Sequence, residues 1–156
     1  MKKITIIFIL LAFVVLGFSE TSRSLGISAG FLSAGGFSYR QFNDQIGYQI
    51  NFIAVGTEET FPILLGGKVL YSFHQTYKSR IYYLAGGSYI HDIGSEKNVS
   101  NLINIGGGVG FEFTIKSNLR FSFDMPIVIS DLLGKMDNDI SDVINFIPDI
   151  GLHYYF

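Results

Sequence analysis

The sequence predicts an all-β chain: an eight-stranded antiparallel up-and-down transmembrane β-barrel preceded by a cleaved signal peptide. Three observations predict it. Apolar and polar residues alternate along most of the chain, short and long connections alternate between those stretches, and the last residues form an aromatic strand. Successive side chains of a strand point to opposite faces, so alternation over a whole strand gives one oily wall and one wet wall.

The first residues set the domain boundary. Lys2 and Lys3 precede an apolar run from Ile4 to Phe18, and Gly17-Phe18-Ser19 supplies a small-x-small cleavage pattern. The run is shorter than the roughly 20 residues a spanning helix needs, which favours a cleaved signal over residues 1–19. Residues 20–156 are then one domain by length. The chain has no cysteine, which excludes lipoprotein processing, disulfides and thiolate metal sites. With 11 Lys+Arg against 13 Asp+Glu, two of the lysines in the signal, no basic footprint for nucleic acid exists.

Each strand follows from its alternation. Leu25–Phe31 and Gly36–Phe42 turn Ser28, Ser38 and Arg40 inward. Ile46–Gly56 sorts Tyr48, Ile50 and Phe52 from Gln49 and Asn51, and Pro62–His74 sorts Leu65, Val69 and Tyr71 from Lys68, Ser72 and His74. Arg80–His91 is ambiguous, because Tyr82, Leu84 and Ile90 oppose Ile81, Tyr83 and Tyr89. Leu102–Ile115 sets Ile105, Val109, Phe111 and Phe113 against Gly106, Gly108, Gly110 and Glu112. Leu119–Ile129 sets Phe121, Phe123 and Ile127 against Arg120, Ser122 and Asp124. Asn145–Phe156 closes the set, with Phe146, Ile150, Leu152, Tyr154 and Phe156 outward and Asp149, Gly151, His153 and Tyr155 inward. Polar turns at 43–45, 75–79 and 116–118 alternate with longer connections at 95–100 and 131–144, although 32–35 and 56–61 are short where long ones are expected.

In this register Tyr39, Tyr48, Tyr71, Phe73, Phe113, Phe121, Tyr154 and Phe156 face outward near the short turns, an aromatic girdle at one membrane interface. The inward set contains Arg40, Lys68 and Arg120 against Glu112, Asp124 and Asp149, with His74 and His153. Eight strands enclose a space that side chains fill, and unpaired charge in such a space is expensive. A salt-bridged plug is therefore expected, with inward glycines 106, 108 and 110 leaving room for long side chains. A narrow small-solute pore is the alternative.

Other motifs fail on their own terms. Gly106-Gly107-Gly108-Val109-Gly110 and Gly66-Gly67-Lys68-Val69 lack the spacing and context of phosphate loops. His74, His91 and His153 fall on three strands without metal spacing. Asp137-Asn138-Asp139 begins like a calcium loop, but Asp142 and Pro148 occupy the required Gly and Glu places. No cofactor is expected.

The terminal Tyr154-Tyr155-Phe156, the alternation, and stretches such as Gly35-Gly36-Phe37-Ser38-Tyr39-Arg40 resemble the small eight-stranded bacterial outer-membrane barrels of the OmpA-transmembrane and OmpX class. The resemblance spans the mature chain and implies an integral, monomeric protein in the outer membrane of a diderm bacterium. It implies that Tyr154 and Phe156 form the C-terminal signal read by the barrel-assembly machinery. It also implies contact with outer-membrane lipid and lipopolysaccharide, and a structural or surface-interaction role carried by the loops. Some barrels of this size modify lipid A with Ser, His and an acid at the outer rim. His91, Asp92, Ser95 and Ser100 lie there, but residues 91 and 92 point to opposite walls, so no catalytic residue is assigned.

Overall fold

The structure, a computed structural model, describes residues 21–54, 63–93, 99–130 and 144–156. The signal expected over residues 1–19, the acidic stretch 137–142, Ser95 and most of the longer connections lie outside the described residues.

Nine strand segments are formed: β1 (Thr21–Ala29), β2 (Gly36–Asn43), β3 (Ile46–Ala54), β4 (Ile63–Gln75), β5 (Ser79–Ile93), β6 (Val99–Lys116), β7 (Leu119–Ser130), β8 (Ile144–Phe146) and β9 (Asp149–Tyr155). From β1 to β7 each pairs antiparallel with the next in sequence. Both β8 and β9 pair with β7, and β9 pairs with β1, which closes the ring. Because β8 and β9 form one stave, the barrel has eight. Closure removes the sheet edge, which a strand in hydrocarbon cannot leave bare.

The eighth stave is predicted as one strand from Asn145, and the structure breaks it at Ile147 and Pro148. Register is continuous across the gap, from Ile127↔Phe146 to Asp124↔Asp149. The interruption is chemical: Pro148 on one side and Pro126 within β7 on the other both lack the N–H the ladder needs there.

The walls are inverted relative to a water-soluble protein. Leu25, Ile27, Phe37, Val69, Ile105, Ile127, Tyr154 and Phe156 are exposed, whereas Ser24, Arg40, Gln49, Lys68, Glu112, Asp124, Asp149 and His153 are buried. Hydrocarbon is the solvent that makes this distribution stable, since burying such polar groups and wetting such apolar ones would both be unfavourable in water. The outward aromatics touch in pairs near the short turns, as with Phe113 and Phe121 (ring centroids 5.3 Å apart) and Phe73 and Tyr83 (4.6 Å).

Three local departures from the sequence reading matter. The ambiguous β5 turns Arg80, Tyr82, Leu84 and Ser88 inward and Tyr83 and Tyr89 outward. His74 leaves the interior: a bulge between Ser72 and His74 shifts the ladder, and His74 is exposed at the short-turn end. Of the three glycines expected to make room for long side chains, only Gly110 does so, because a Cβ there would lie 2.2 Å from the Tyr82 ring. At Gly106 and Gly108 the nearest atoms are instead backbone carbonyls of Ile127 and Met125.

Candidate functional site in the barrel lumen

The interior charges form two groups joined by one phenol. In the first, the Glu112 carboxylate accepts from Arg40 Nη1 (2.8 Å), Arg120 Nη1 (3.0 Å), Arg80 Nη1 (3.5 Å) and the Tyr155 hydroxyl (2.7 Å). Arg40 also donates to Gln49 Oε1 and to Ser122 Oγ. In the second, Lys68 Nζ lies 2.5 Å from Asp124 and 3.3 Å from Asp149. Asp124 and Asp149 are direct cross-strand partners, and the lysine between them offsets their repulsion. Tyr82 links the groups: its hydroxyl donates to Asp124 Oδ1 (2.6 Å) and accepts from Arg40 Nη1 (3.4 Å).

These pairs are charge-assisted hydrogen bonds among buried side chains, the setting where removing one partner is costly. Rings complete the packing. The Arg80 guanidinium stacks on Phe42, 3.6 Å from the ring centroid, and Arg120 lies 4.6 Å over Tyr155. An apolar layer of Leu32, Phe42, Leu70, Tyr82, Leu84 and Val128 fills space between polar groups. A Ser–His contact occurs as well, Ser38 Oγ to His153 Nε2 at 2.9 Å. It lacks what a nucleophilic pair requires: His153 Nδ1 has no hydrogen-bond partner among the described residues, and the ring is fully buried.

The connection between β1 and β2 closes one end. The alternation carries the first strand to Phe31, but pairing stops at Ala29 and the chain folds into the lumen. Ser33 N–H donates to Asp149 Oδ2 (3.1 Å), and the Ser33 carbonyl accepts from Asn51 Nδ2 (2.8 Å). The Phe31 carbonyl accepts from Ser88 Oγ (2.9 Å) and Asn104 Nδ2 (3.4 Å). Leu32, Ser33 and Ala34 are buried. The return to β2 needs three successive left-handed residues, Ala34 (φ 61°), Gly35 (φ 64°) and Gly36 (φ 97°). Gly66 supplies the space, because a Cβ there would lie 2.3 Å from the Ser33 carbonyl oxygen. A short connection stands where a long external loop is expected because it serves as an internal stopper.

The structure brings Arg40, Glu112 and Arg120 into the first group and Lys68, Asp124 and Asp149 into the second, with His153 on Ser38. Tyr154 and Phe156 stand on the outer wall, and the Phe156 N–H donates to the Arg23 carbonyl (3.0 Å) at the closing seam. Sequence reasoning placed Gln49 and Tyr155 on the inner wall without assigning them to the charge groups, and it missed Arg80, Tyr82 and the stopper. The usable signal for Arg80 and Tyr82 was parity: Arg80 and Ser88 share a face with Tyr82, and an arginine inside the membrane belongs on the polar wall. At the outer end Asp92 and Ser100 are register partners, whereas Ser95 lies outside the described residues.

No family model matches the chain, and no curated protein matches it by sequence. Solved structures do match it. The N-terminal β-barrel domain of Pseudomonas aeruginosa OprF aligns with a TM-score of 0.55 at 14% identity, over 86% of this chain and 97% of that one. A major outer membrane protein from Thermus thermophilus aligns with a TM-score of 0.52 at 13% identity, over 88% and 100%. The outer membrane enzyme PagL aligns only at a TM-score of 0.39, with 15% identity over 86% of this chain and 98% of that one. The chain therefore has the fold of the small eight-stranded outer-membrane barrels, a membrane-spanning barrel with its polar side inward.

Proposed function

We propose that this chain is an integral outer-membrane protein with a structural or surface-interaction role, whose interior is a bracing element rather than a transport path. The observation that carries this reading is the stopper. Gly30 to Gly35 occupies one end of the lumen, where the Phe31 and Ser33 carbonyls and the Ser33 amide are held by Asn51, Ser88, Asn104 and Asp149. Below it the two charge groups and the apolar layer fill the bore. Rigid polar networks of this kind hold a barrel in one shape, and functional variety then resides in the connecting loops. The barrel works as a monomer among outer-membrane lipid and lipopolysaccharide, and the assembly machinery reads Tyr154 and Phe156 at its C-terminal stave. No catalytic role is proposed for His153 or Ser38, because both are buried.

Planar-bilayer recording of the purified, refolded barrel tests the reading. The expected trace stays at the baseline of the bare membrane, without stepwise current. Reproducible unitary steps from the folded protein would replace the plug with a narrow pore.

A further inference from the structure

The first stave stands apart from the other seven. Every stave from β2 onward sends a side chain into the two charge groups, from Arg40 on β2 through to Asp149 and Tyr155 on β9. β1 sends none. Its inward residues are Ser24, Gly26 and Ser28. The Ser24 hydroxyl donates to the Arg40 carbonyl (3.2 Å), and the Ser28 hydroxyl has no hydrogen-bond partner among the described residues. The charged residue of β1, Arg23, shares a face with Leu25 and Ile27 and so stands on the outer wall.

The lumen network closes all the same, because it passes over β1. Gly26 is the register partner of Ser38 on β2 and of His153 on β9. Adjacent strands lie about 4.8 Å apart, so β2 and β9 are roughly 10 Å apart with β1 between them. Ser38 and His153, both buried, span that distance and meet at 2.9 Å, Oγ to Nε2. Glycine permits the meeting: a Cβ on Gly26 would lie 2.9 Å from His153 Cδ2, in the path of the ring. A second crossing lies at the end of β1, where the Ser33 N–H of the stopper donates to Asp149 Oδ2 (3.1 Å). Side chains therefore tie β9 to the chain beyond β1, whereas β1 is seated chiefly by its two backbone ladders.

We propose that β1 is a releasable stave. The other seven staves and the stopper form one unit, clasped by His153 on Ser38. β1 leaves and reseats without disturbing the lumen charges, hinged at Gly30 where the stopper is anchored. Releasing β9 instead would break Asp149 from Lys68 and Tyr155 from Glu112. The opening is a slot one strand wide beside the last stave. Unpaired backbone is costly in hydrocarbon, so release is rare and shows as local opening at less than the free energy of global unfolding.

Amide exchange read residue by residue by NMR, on the folded barrel in lipid nanodiscs, tests this. Three sets of amides are compared: residues 23–27 of β1, the β9 amides that pair with β7, and the β2 amides that pair with β3. The β1 set should exchange at one common rate, roughly tenfold or more faster than the other two. A rate that falls steadily from residue 23 to residue 27 would mean fraying of a chain end, and equal rates in β1 and β9 would mean that both seam strands open together. Either result overturns the proposal. Ser38→Ala removes the clasp by deleting one oxygen atom. It should speed the β9 set by about fivefold, the worth of one net hydrogen bond, and leave amides shared by β4 and β5 unchanged. Unchanged β9 exchange in that variant, or equal acceleration throughout the barrel, would also overturn it.

Discussion

Lys68→Met will destabilise the folded barrel by about 3–5 kcal/mol, the usual consequence of breaking a buried ion pair by removing one partner. The substitution keeps most of the side-chain volume, so packing is not the cause. It removes the cation that bridges two carboxylates facing each other across a β-ladder, Asp124 and Asp149. Equilibrium unfolding in urea, followed by the band shift between folded and unfolded forms, measures the effect as a lower midpoint with an unchanged slope. The triple variant Lys68→Met, Asp124→Asn, Asp149→Asn should recover much of the loss, because neutral groups of the same shape leave no uncompensated charge. A Lys68→Met barrel with the wild-type midpoint would show that the three groups do not interact as drawn.

Glu112→Gln will have an effect of the same size, about 3–5 kcal/mol, for the opposite reason. Three guanidinium groups converge on that carboxylate, and glutamine leaves them with an amide oxygen and no counter-charge. They are not equally placed to escape. The Arg120 side chain is 20% exposed and can move toward water, whereas Arg40 is sealed in. Adding Arg40→Met to Glu112→Gln should therefore relieve the strain, so that the double variant is more stable than the two separate losses predict by about 0.5–3 kcal/mol. Simple additivity would mean that Arg40 is held chiefly by Gln49 and Ser122.

The eight staves were legible because lipid forces a rule that soluble proteins obey only loosely: an outward residue must be apolar. Phe121, Phe123 and Ile127 against Ser122 and Asp124 leave one choice of facing. The rule is one-way, however, and it failed at β5 for that reason. The interior also holds an apolar layer, so Tyr82 and Leu84 gave no hint of their side, and only Arg80 and Ser88 on the same face could have decided it. The last stave read as continuous because alternation runs unbroken from Asn145 to Phe156, whereas the ladder fails where Pro148 and Pro126 fall on neighbouring rungs. The stopper was not legible at all. Leu32, Ser33 and Ala34 have the composition of an ordinary turn, and their burial depends on Asn51, Ser88, Asn104 and Asp149 from four distant strands. Arg23 was passed over because β1 begins at Thr21, ahead of the strand read from Leu25.

The central claim is an inside-out barrel with a filled bore, and the absence of tryptophan offers a direct test of it. Single reporters are introduced at Phe37 and Phe111 on the outer wall and at Phe42 in the lumen, which are 76%, 37% and 1% exposed. The folded variants are placed in bilayers whose lipid chains are brominated, with acrylamide as the aqueous quencher. Bromine should quench Phe37→Trp and Phe111→Trp, while neither agent reaches Phe42→Trp. Strong bromine quenching at Phe42 with the outer pair shielded, or free access of acrylamide to Phe42 in the folded barrel, would contradict the account.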